Sequence, residues 1–135
     1  MSNLTAPGTD DCQGPLHPKA LEGLELFNQG RYFEAHEALE AAWRDERGPV
    51  RELYRGILQA GVVYLHITRR NYAGAVKVYQ RCRRWLEAWP ETCRGVNVGQ
   101  LRSDLEDAIA EVKRLGAEQM DGFDMGLLKP VRYVV

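Results

Sequence analysis

Residues 36 to 40 read His-Glu-Ala-Leu-Glu, an H-E-x-x-E. On a helix, His36 and Glu40 would project from one side, the spacing with which H-E-x-x-H helices offer two ligands to zinc. Glu37 would then stand where that motif carries its general base. His66 is the candidate third ligand, and a metal-dependent hydrolase holding a divalent ion such as zinc is one reading. A second reading needs no cofactor. Phe33 and Trp43 flank His36 and Glu40 at helical spacing, so the stripe should turn into the protein. A buried carboxylate costs several kcal/mol unless paired and hydrogen-bonded. Arg55 and Gln59, one helix further on, are the expected partners of Glu37 or Glu40. A guanidinium at that place already neutralises a carboxylate and argues against a metal. The buried network of His36, Glu37, Glu40, Arg55 and Gln59, with Trp43 beside it, is therefore the preferred expectation.

Other chemistry finds less to stand on. Lys77, Arg81 and Arg84 follow i, i+4, i+7 and would present one cationic side of a helix to phosphates, with Arg69, Arg70 and Arg83 nearby. Nothing around them resembles a recognition-helix motif, so nucleic acid is not favoured and a solvated face is expected. Trp85 and Trp89 share helical spacing with Cys82 and Leu86, which suits core or subunit-interface positions. No G-x-x-x-x-G-K or G-x-G-x-x-G loop is present, and no serine or cysteine lies in a nucleophile motif.

The elements that would position these residues can be read from the apolar period. Pro18 opens a first helix through Leu21, Leu24 and Phe27, stopped by Asn28-Gln29-Gly30. A second runs from about Tyr32 to Trp43 or slightly beyond, ended by Gly48-Pro49. Pro49 is expected in the first turn of a third, which reaches about Thr68. The fourth carries Tyr72, Ala75, Val76, Tyr79, Cys82, Leu86 and Trp89, and Pro90 closes it. Asn97 with Gln100 resembles a capping box ahead of a fifth helix that stops at Gly116. Residues 30–35 and 70–75 echo one another at an aromatic and an alanine, as in helical-hairpin repeats, but two copies fall short of a solenoid. The expected fold is all-α: a compact bundle of two helical hairpins plus a closing helix over 16–116, a mobile leader over 1–15, and an extended tail over 117–135 lying along the helices.

Composition agrees with one globular domain of 135 residues: 44% hydrophobic, 27% charged, net charge −1. Charge is unevenly placed, with seven Lys and Arg and no Asp or Glu in residues 53–86. The acidic segments on either side are expected to neutralise that stretch within the fold. Cys12, Cys82 and Cys93 are odd in number and form no C-x-x-C. They read as free thiols in a reducing cytosol rather than a disulfide framework. The polar residues 1–15 do not read as a secretory signal, and the apolar run Ile57 to Ile67 is too short and too polar to span a bilayer. A cytoplasmic protein that does not enter membranes is expected.

The run F27-N28-x-G30-x-Y32-F33-E34-A35-H36-E37-x-L39-E40-x-x-W43, then R55-G56-I57-x-Q59-A60, then N71-Y72-x-G74-A75, resembles the domain of unknown function 309 family over roughly residues 20–90. The resemblance implies a small all-helical prokaryotic protein whose shared residues correspond to His36, Glu37, Glu40, Trp43, Gly56, Gln59 and Gly74. It implies no activity. The residues before Leu16 and after Gly116 lie outside it, and Gly61-Val62 stands where a more alanine-like segment would be expected. Together these readings lead to an interaction or small-ligand-binding module built about the His/Glu/Arg/Gln cluster, with an unknown protein or small molecule as partner and self-association compatible.

Overall fold

The computed structural model describes residues 11–135. Helices α1 (Pro18–Asn28), α2 (Tyr32–Asp45), α3 (Arg51–Thr68) and α4 (Tyr72–Glu87) follow one another as two antiparallel hairpins, each packed against the next. Helix α5 (Val98–Leu115) closes the bundle, and two 3-10 turns, Ala117–Gly122 and Met125–Leu127, follow it. The all-α reading is met. Among the described residues no helix is long and apolar enough to cross a membrane.

Local chemistry sets the helix ends. Gly30 and Gly116 both adopt φ +77°, the left-handed conformation that ends a helix without a Cβ penalty. Asn71 and Asn97 cap α4 and α5 by accepting from the backbone N–H of Gly74 and Gln100. Only this half of the expected capping box forms, because the Gln100 amide donates to the buried Asp104. Pro49 lies just ahead of α3 rather than in its first turn.

An aromatic cluster sits where α1, α2 and α3 meet. Phe27, Tyr32 and Tyr64 form a triangle of rings with centroids 5.3, 5.5 and 5.7 Å apart. The side of α2 that joins the core is Tyr32, Ala35, Leu39 and Ala42. Gly56 lets α3 approach α4, since a Cβ there would stand 2.8 Å from Leu86. Cys82 donates to the Gly56 carbonyl at 3.4 Å, and burial pushes its thiol pKa up to about 12. A thiol so placed is no nucleophile.

Four sequence expectations are corrected. Residues 1–10 of the proposed leader lie outside the described residues, but 11–15 are fastened: Cys12 and Cys93 form a disulfide, and Arg94 donates to the carbonyls of Asp11 and Pro15. Only Cys82 is a free thiol. Between α4 and α5, where no element is expected, the chain forms a short hairpin, β1 (Thr92–Cys93) with β2 (Val96–Asn97). Its turn takes positive φ at both Arg94 (52°) and Gly95 (84°), the two-residue geometry that follows strand twist. The tail, expected to be extended, begins with the 3-10 turns and bridges Tyr133 to Val96. It does pack on the helices: Asn28, read as part of a helix stop, grips both the N–H and the carbonyl of Val131, at 2.7 and 2.9 Å.

Candidate functional site

The polar residues of α2 and α3 lie on the outer side of the helix layer. Glu37 is exposed, and His36, Glu40, Trp43, Arg55 and Gln59 are half-buried. Phe33, expected to bury beside them, is 54% exposed. The inward network therefore does not form among the described side chains. Glu40 pairs along its own helix with Arg44 at 3.4 Å, and Arg55 pairs with Glu52 at 3.1 Å. Both are i, i+3 or i, i+4 pairs within one helix, the cheapest partners a helix surface offers.

What joins α2 to α3 at this place is aromatic. The Arg51 and Arg55 guanidinium carbons lie 4.3 and 4.8 Å from the centre of the Trp43 ring, and Arg55 also lies 4.4 Å from the centre of Trp85 on α4. Arg51 Nε donates to the Trp43 carbonyl at 3.2 Å. Cation–π contacts of this kind contribute about 0.5–1 kcal/mol each at exposed sites, and more when desolvated. Arg51 and Glu52 are not among the candidates read from the sequence, and Trp85 is read there only as a core or subunit-interface residue. The Arg51/Arg55 spacing of one turn and the Glu52/Arg55 pair were the signals for the first two; Trp85 is placed only by tertiary packing.

Glu40, Trp43, Arg55, Leu58 and Gln59 line an open cleft of about 200 Å³. Two polar atoms here are buried and without a hydrogen-bond partner: the donor Trp43 Nε1 and the acceptor Gln59 Oε1. Buried polar atoms are nearly always paired; of the six unpaired side-chain atoms among the described residues, these two belong to residues that line the cleft. Glu40 and Arg55 place opposite charges beside them.

The remaining candidates are placed as follows. His66 Nδ1 lies 3.1 Å from the Asn71 amide, at the cap of α4, and Gly74 leaves the room for this pair. Among the described residues no group of three or more His, Cys, Asp and Glu stands where one ion would reach them all, so His36, Glu40 and His66 are not brought together. His17 accepts from Lys19 N through Nδ1, which leaves Nε2 to donate to Asp45 at 2.7 Å. It braces α1 to the end of α2. Lys77, Arg81 and Arg84 are exposed along α4.

Two comparisons bear on the chain. It is 27% identical over 98 residues to an uncharacterized protein of Aquifex aeolicus (strain VF5), across 70% of this chain and 28% of that protein. It is 30% identical over 107 residues to the uncharacterized protein YpuF of Bacillus subtilis (strain 168), across 76% of this chain and 62% of YpuF. The chain thus spans less than two thirds of the length of either relative. Residues 20–78, which run from α1 into α4 and carry every residue of the cleft, match the family model described as domain of unknown function (DUF309).

Proposed function

We propose that the protein is an interaction module that seats a segment of a partner protein in the α2–α3 cleft. The unpartnered Trp43 Nε1 and Gln59 Oε1 carry the reading. A donor on α2 and an acceptor on α3 are together the complement of a main-chain amide, which offers one acceptor and one donor. Leu58 and the Trp43 ring supply apolar area, and Trp and Arg are both enriched among the residues that anchor protein interfaces. Glu40 and Arg55 would orient the segment by charge. The metal-dependent hydrolase has less support, because Asn71 occupies His66 and Glu37 points away from the cleft's lining. The cytoplasm is the compartment proposed with this function, on composition and the polar character of the chain.

Selection from a displayed random-peptide library tests the reading. Peptides enriched on the wild-type protein are expected to bind Gln59→Leu and Trp43→Phe more weakly by about 5- to 100-fold, the cost of stranding one buried hydrogen-bonding group. No enrichment, or peptides indifferent to both substitutions, would overturn it.

A further inference from the structure

Helix α4 turns a row of cations to solvent that no other part of the described chain uses. Lys77, Arg81 and Arg84 are exposed along one side of it, and Arg69 and Arg70 are exposed in the turn that leads into it. None of the five makes an ion pair among the described residues, whereas Arg55 and Arg83, the other cations of residues 53–86, pair with Glu52 and Glu87. The acidic residues expected to neutralise this stretch pair elsewhere: Glu34 with Arg31, Glu40 with Arg44, Glu111 with Arg114. The basic third of the chain is thus left as an uncompensated field on one helix. The rise from Lys77 to Arg81 is about 6 Å and from Arg81 to Arg84 about 4.5 Å, so the side chains reach successive positions on an extended polyanion.

We propose that this face binds a nucleic-acid strand through its phosphates, without reading sequence. Charge complementarity alone is what such binding needs. A protein partner or a membrane would need more: interfaces rest on buried aromatic or aliphatic anchors, and membrane surfaces on inserted apolar side chains. Among the described residues the exposed large apolar side chains are Phe33, Met125, Val134 and Val135, none of them on α4. The face is distinct from the Trp43–Gln59 cleft, so either can fail alone.

Fluorescence anisotropy of labelled oligothymidylate with the full chain tests this. Binding is expected to follow salt with a slope of about −2 to −3.5 for three to five phosphate contacts, a loss of about 20- to 130-fold between about 50 and 200 mM salt. Lys77→Gln/Arg81→Gln/Arg84→Gln should abolish it, while Lys113→Gln, an exposed cation on α5, should not. Unchanged melting of the triple variant separates loss of binding from loss of fold. No binding at the low salt, undiminished binding by the triple variant, or tighter binding to polyglutamate or phosphatidylserine vesicles would each overturn the proposal.

Discussion

Phe27→Ala is expected to lower stability by about 3–5 kcal/mol, the range for removing a buried aromatic ring from a core that cannot collapse around the void. Phe27 is 1% exposed and contacts the rings of Tyr32 and Tyr64, so its removal breaks two of the three aromatic contacts that join α1, α2 and α3. Gly61 lies under the ring, with its would-be Cβ 3.5 Å from two ring carbons, and a glycine has no side chain to fill the space. Aromatic pairs add about 0.5–1.5 kcal/mol beyond area burial, which puts the loss toward the upper part of the range. Phe27→Leu keeps most of the volume and should recover more than half of the loss. Urea denaturation measures both; a Phe27→Ala loss under about 1 kcal/mol would mean that the ring triangle is not central to the core.

Breaking the Cys12–Cys93 bond should cost a comparable amount. The bond joins residues 81 apart, and a loop of that size removes about 4.5 kcal/mol of unfolded-state entropy in the chain-entropy limit. Cys12→Ser/Cys93→Ser, or reduction of the wild type, is therefore expected to lower Tm by roughly 15 °C, with α1–α4 still helical because their core lies elsewhere. The first effect should be release of residues 11–15 from Arg94. A Tm unchanged by reduction would contradict this. In cells the same pair reports the compartment: cytoplasmic placement predicts that Cys12 and Cys93 alkylate after acid quenching, and a bond intact at that step contradicts it.

The helices were legible because their apolar period and their stops agree: Leu21, Leu24 and Phe27 ahead of Gly30, and Leu101, Leu105, Ala108 and Val112 ahead of Gly116. The hairpin and the disulfide were not. Arg94 carries none of the usual signals of a turn with positive φ, and three cysteines allow three pairings that only the folded chain can choose between. The cleft was legible as a set of residues and misread in direction. Weight given to Phe33 and Trp43 turned α2 by about one residue, roughly 100°, from its true buried side. That side is Tyr32, Ala35, Leu39 and Ala42. Alanine contributes little to a hydropathy stripe, yet it is the residue that lets α2 lie close between two neighbours, so the small side chains carried the information that the large ones obscured. His36 and Glu40 went outward with that rotation, and Glu40 found a partner, Arg44, one turn away on its own helix instead of across the interface.

The claim on which this account turns is that Glu40 and Gln59 face a cleft and do not brace the bundle. Urea denaturation of Glu40→Ala/Gln59→Leu tests it most directly. Loss of a surface ion pair and of an unpaired acceptor should leave stability within about 1 kcal/mol of the wild type. A loss of about 3–5 kcal/mol, the signature of breaking a buried charge pair, would contradict it.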